Sequence, residues 1–176
     1  MHVNSKRIAI LGLLLSINVI LIILSGIIEI NTLFLLGIAS FVVGIAIREY
    51  GILQGITFFI ASLILGFMLA PNKMYCLTYS AMGLYIVLSE IGWEIVYKIS
   101  SDFLRKRLFG LVKFIVFNII YIPILLFAPK LIGIKGYTIP MFIMFFVAGQ
   151  IALYIFEEAY CVFQTKIWDR YKHRLY

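Results

Sequence analysis

The chain has 176 residues, of which 64% are hydrophobic and only 13% charged. A soluble domain is roughly 45–50% apolar and about 25% charged, so these figures exclude a water-soluble globular domain, a disordered chain and a disulfide-stapled secreted module. An integral membrane protein remains, with room for one helical bundle and no separate soluble domain. The net charge of +7 lies between apolar stretches, which suits a membrane surface and lacks the broad basic face that nucleic acid requires.

A helix needs about 20 mainly apolar residues to cross the hydrocarbon core. Six stretches qualify, at about 8–28, 30–47, 51–70, 75–95, 108–128 and 137–156. The first follows Lys6 and Arg7, carries the small residues Ala9, Gly12 and Ser16, and has Asn18 at mid-depth. It is too long for the apolar region of a cleavable signal, and no small-x-small cleavage site follows it. Only Glu29, Asn31 and Thr32 interrupt the apolar run into the second stretch, which reads as a tight hairpin turn. The third opens with Gly51 and Gly55, a G-x-x-x-G, and continues with Ser62 and Gly66 on one helical stripe. Such stripes let membrane helices approach closely. Pro71 ends that helix, because proline cannot extend the hydrogen-bond ladder. The fourth stretch carries Glu90 and Glu94, four residues apart. A basic segment, 98–107, leads into the fifth, which has Asn118 near its middle. The sixth holds Gln150, ends at Glu157-Glu158, and runs into a basic tail, 157–176. Strict alternation of apolar and polar residues is absent, so helices are expected and barrel strands are not.

Basic residues set the orientation. With the N-terminus in the cytoplasm, the inner segments hold twelve: Lys6, Arg7, Arg48, Lys98, Arg105, Lys106, Arg107, Lys113, Lys166, Arg170, Lys172 and Arg174. The outer side holds three, Lys73, Lys130 and Lys135. The expected fold is an all-α integral membrane protein, a bundle of six transmembrane helices with both termini cytoplasmic. The expected location is a bacterial plasma membrane.

Chemistry-bearing residues are few. Cys76 and Cys161 fall at opposite membrane faces, about 30 Å apart, too far for a disulfide. His2 and His173 lie in the terminal segments, and no cluster has metal-ligand spacing. Neither a metal nor another cofactor is expected. The acids Glu90, Glu94, Glu157 and Glu158 sit near the cytoplasmic boundary, where ion pairs and solvated helix ends account for them, and an enzyme is not expected. No G-x-x-x-x-G-K-[ST] phosphate loop is present. Asn18, Asn118 and Gln150 must each find a hydrogen-bond partner in hydrocarbon: either another helix or a cavity open to the outside. The outer turns supply candidate ligand contacts at Asn31, Asn72, Lys73, Tyr75, Tyr79, Lys135 and Tyr137, with Asn118 deeper. Between Lys98 and Lys113, Ile99, Phe103, Leu104 and Leu108 recur at helical spacing among arginines and lysine, a pattern for a short amphipathic helix on anionic lipid.

The six spans with both ends inside, the opening Lys6-Arg7-Ile8-Ala9 followed by Gly12 and Ser16, and the stretch Glu49-Tyr50-Gly51-Ile52-Leu53-Gln54-Gly55 resemble the substrate-binding S component of an energy-coupling factor (ECF) vitamin transporter. The resemblance implies capture of a vitamin or other small nutrient from outside. It implies docking of the first helix, through Ala9, Gly12 and Ser16, to a transmembrane T component driven by two cytoplasmic ATPases. The alternative is a non-transporting six-span scaffold or regulatory membrane protein, similar to envelope proteins of the rod-shape MreD type, recruiting partners through the basic segment.

Overall fold

A computed structural model describes residues 5–132 and 138–168. Among them the chain is helical, with no strand. Six helices follow in order: α1 Ser5–Ile27, α2 Thr32–Tyr50, α3 Ile52–Leu69, α4 Lys73–Tyr97, α5 Asp102–Ile132 and α6 Ile139–Val162. All six are long and apolar enough to cross a membrane. The chain divides into two compact units, Met1–Ile95 and Val96–Tyr176.

In the first unit, α2 is the enclosed helix. Residues from Leu36 to Ile47 are buried around nearly its whole circumference, as expected of a helix apolar on every side. The helices around it bury one stripe each. On α1 this stripe is Leu14, Asn18, Val19, Ile22 and Ser25. On α3 it is Gly55, Phe58, Phe59, Ser62 and Gly66. Both follow the 3.6-residue period of a helix with one buried face.

The connections are tight, and the sequence explains each. A single residue, Gly51, joins α2 to α3 with φ +94°. That backbone region strains any residue with a Cβ. The Gly51 N–H donates to the Ile47 carbonyl at 2.8 Å. One turn on, a Cβ placed on Gly55 would lie 2.1 Å from Ile47 Cγ1 and 2.9 Å from Ile47 Cα. The G-x-x-x-G therefore makes the turn with its first glycine and closes α3 onto α2 with its second. Gly66 meets Ile22 of α1, and Gly83 of α4 meets the Phe59 ring. Between α1 and α2 a short 3-10 turn, Glu29–Asn31, is tied back by Thr32 Oγ1, which donates to the Ser25 carbonyl at 3.0 Å. Between α3 and α4, Ala70 is extended, as the residue before a proline should be. Lys73 then folds back: its Nζ donates to the Ala70 carbonyl at 3.0 Å and to the Phe67 carbonyl. A cation there satisfies carbonyls that the end of α3 leaves unpaired.

The second unit is an antiparallel hairpin. Lys113 pairs with Glu157, Asn118 with Gln150 and Tyr121 with the Phe145 carbonyl, so the partner number falls along α6 as it rises along α5. A π-helical turn, Phe163–Trp168, continues α6. The segment 98–107 is only partly a loop: α5 begins at Asp102, and Arg105, Lys106 and Arg107 occupy its first turns. Leu, Arg and Lys are strong helix formers, and an acid in the first turn complements the helix dipole.

Candidate functional site

The first unit carries a polar cluster inside its apolar core. Asn18 on α1, Ser62 on α3 and Tyr79 on α4 are all fully buried. Asn18 Nδ2 donates to Ser62 Oγ at 3.0 Å and to Tyr79 Oη at 2.8 Å. Ser62 Oγ in turn donates to the Phe58 carbonyl at 2.8 Å. The Tyr79 ring lies 5.9 Å from Phe59, tilted by 48°. Asn18 Oδ1 is buried without a hydrogen-bond partner among the described residues. Three helices are thus joined at one point by hydrogen bonds that the sequence places 44 and 61 residues apart.

A second polar link joins α2 and α4. Arg48 donates from Nη2 at 2.6 Å and from Nε at 2.9 Å to the same oxygen, Oε1 of Glu90. The carboxylate side chain is 8% exposed and the guanidinium side chain 45%. Glu90 is therefore held inside the bundle by a cation that reaches solvent. Glu94, its neighbour one turn on, is exposed. The two glutamates share a spacing but not an environment.

The hairpin has three polar rungs. Lys113 and Glu157 form an ion pair. Gln150 Nε2 donates to Asn118 Oδ1 at 3.1 Å, and Asn118 Nδ2 donates to the Phe114 carbonyl at 2.8 Å. Tyr121 Oη donates to the Phe145 carbonyl at 2.7 Å. The tyrosine ring lies against Gly149, where a Cβ would come within 2.4 Å of it. Asn118 and Gln150 therefore bond each other, with Gln150 Oε1 left buried and without a partner among the described residues, while Asn18 finds its partners in the first unit.

Of the residues proposed from sequence to meet a ligand, some are exposed and others are engaged within the chain. Asn31 and Asn72 are exposed. Asn72 Oδ1 accepts from the Met74 N–H at 3.0 Å, a local turn-stabilising bond. Lys73 is engaged with the end of α3. Tyr75 is half-buried beside Gly26. Tyr79 is buried and bonded to Asn18. Lys135 and Tyr137 lie outside the described residues. Of the small residues on α1, Ala9, Gly12 and Ser16 are all exposed. A Cβ on Gly12 would meet nothing within 4 Å. Cys76 is buried, Cys161 is exposed, and both are free thiols. Compared with protein-family models, with curated proteins and with solved structures, the chain matches none of them.

Sequence reasoning missed two partners. Ser62 reads as one more small residue in a packing stripe, although a serine at that phase also brings a hydroxyl to the interface. Arg48 reads as a topology anchor, although it is the single basic residue between Arg7 and Lys73. A buried glutamate in a membrane helix requires a cation, and that requirement was the available signal.

Proposed function

We propose that the chain is the membrane-embedded capture subunit of an ECF-type importer, in a bacterial plasma membrane with both termini in the cytoplasm. The observation that carries this reading is the open small-residue face of α1. The small residues of α3 are used inside the chain, where Gly55 meets Ile47 and Gly66 meets Ile22. Those of α1 are left over: Ala9, Gly12 and Ser16 are exposed, and Gly12 has space before it. A face of this kind lets a second membrane helix approach to backbone distance. The bias of basic residues supports the orientation. The partners are a transmembrane T component and two ATPases, and the ligand is a vitamin or other small nutrient.

The test is purification in mild detergent with identification of the proteins retained. The expected result is a multi-span partner with two ATPases, lost when Gly12→Leu fills the open face. A Cβ there would meet nothing within 4 Å among the described residues, so the variant should fold. Retention of the same partners by Gly12→Leu overturns the docking face. Direct titration of the purified chain with candidate vitamins then reads ligand binding.

A second reading is a non-transporting scaffold. It is favoured by the way side chains fill the outer end of the first unit. A Cβ on Gly26 would lie 2.9 Å from Pro71, Asn31 and Asn72 are exposed, and Asn18, Ser62 and Tyr79 are bonded to one another through the Asn18 amide nitrogen. This reading expects envelope or division proteins in the same purification and no ATPases.

A further inference from the structure

The α5–α6 hairpin has one charged end. The Lys113–Glu157 pair marks where charge begins along it. Beyond that pair stand Arg105, Lys106 and Arg107 on α5 and Lys166 in the turn after α6, with Lys98 just ahead of α5. The acids beyond it among the described residues are Asp102 and Glu158, and Asp102 is paired with Arg105. In the other direction, no residue from Phe114 to Phe127 or from Ile139 to Phe156 is charged.

Distance along the helix places the cations. The stretch from Leu108 to Phe127 covers about 30 Å at 1.5 Å per residue, the thickness of the hydrocarbon core, and its one charge, Lys113, is met by Glu157. With that stretch across the core, Arg105, Lys106 and Arg107 stand in the headgroup layer at one face. Their surroundings fit that layer. The Arg107 guanidinium lies 4.4 Å from the centre of the Phe103 ring, and that of Arg105 lies 5.4 Å from the centre of the Tyr97 ring. Phe103 and Leu104, on the same turns, are 64% and 51% exposed. Cations beside exposed apolar side chains at a membrane boundary match phosphate above and acyl chain below.

We infer that the charged end of the α5–α6 hairpin is a docking surface for anionic phospholipid headgroups, with Arg105, Lys106 and Arg107 meeting phosphate and Phe103 and Leu104 entering the acyl boundary. The inference rests on the membrane-spanning architecture and is independent of the importer reading. It holds equally for a scaffold.

The test is native mass spectrometry of the full chain in detergent, offered equal amounts of phosphatidylglycerol and phosphatidylcholine with the same acyl chains. Retention of phosphatidylglycerol about fivefold over phosphatidylcholine is expected, the effect of about one well-placed cation. The triple variant Arg105→Gln, Lys106→Gln, Arg107→Gln should abolish the preference. A charge-matched variant elsewhere, Lys6→Gln, Arg7→Gln, Lys135→Gln, should keep it. Arg105→Lys with Arg107→Lys keeps the charge and should keep most of the preference, which guards against a misfolded triple variant. Equal retention of the two lipids by the natural chain overturns the inference. So does a preference that survives the triple variant, or one lost equally in the charge-matched control. A triple variant that keeps its lipid but loses a co-purifying protein makes this end a protein contact and also overturns it.

Discussion

The two units use the same kind of helix in different ways. In α1 to α4, between 28% and 61% of each apolar span is buried within the chain, against 6% in both α5 and α6. Hydropathy does not explain the contrast. α2 and α4 are the least apolar of the six spans and the most buried. In water the most apolar helix would be innermost. In a membrane lipid is itself apolar, so association depends on close packing and polar contacts. The first unit has the small residues for this, Gly55, Gly66 and Gly83 among them, and a cluster of polar groups at its centre. The hairpin has Gly149 and three polar rungs, and leaves Ile115, Ile119, Ile143, Ile151 and Ile155 facing outward.

The largest break in this comparison should come at Gly55. In Gly55→Val the new Cβ meets Ile47 at backbone distance, so α3 must move off α2. Overpacking costs about 1–3 kcal/mol where side chains can shift, and here the obstacle includes a Cα. We expect a large fall in the thermal unfolding midpoint of the detergent-purified chain. Gly12→Val on α1 should leave that midpoint unchanged, since nothing stands before it. Equal losses from the two would mean that the α2–α3 approach is not where the first unit gets its rigidity.

The link between α2 and α4 comes next. Glu90→Gln leaves Arg48 without its carboxylate. Losing one partner of a fully buried pair costs about 3–5 kcal/mol. Because Arg48 is nearly half exposed and water can solvate it, about 1–2 kcal/mol is the expected loss. Glu94→Gln, on an exposed position, should stay within about 0.5 kcal/mol. A difference between these two variants separates an ion pair from a shared acidic face. Asn18→Leu removes the donor shared by Ser62 and Tyr79 and should cost about 1 kcal/mol, within the range for interhelical hydrogen bonds in membranes.

Legibility in the sequence followed whether a feature was local. The spans, their breaks at Pro71 and Gly51, and the close-packed stripe of α3 could be read directly, because each depends on a few consecutive residues. The helical start of α5 was legible in part: Arg105-Lys106-Arg107 reads as a loop by polarity, but Phe103, Leu104 and Leu108 recur around them at helical spacing, and the segment is helical from Asp102. Facing direction was harder. Tyr79 closely follows the turn between α3 and α4, and helix phase turns it toward Asn18, 61 residues away. Gly12 and Gly55 look alike in sequence, and only the packing shows that one is used and the other open. Arg48 and Glu90, 42 residues apart, carry no local signal of their pairing.

Among the polar links, the smallest effect should come from the hairpin, where it sharpens the comparison most. Asn118→Leu removes the acceptor for Gln150 and should cost about 0.6 kcal/mol, the average for such bonds in a membrane protein. Gln150→Leu should cost a similar amount, and the double variant little more than either, because each single change already breaks the shared bond. The pair is read best through a double-mutant cycle on unfolding. Strict additivity would mean that Asn118 and Gln150 do not depend on each other, and that the hairpin is held by the Lys113–Glu157 and Tyr121–Phe145 rungs alone. Coupling would make the amide pair part of what sets α5 against α6. The outward isoleucines could then be left entirely to lipid or to a partner, because the hairpin would not need them to hold its own register.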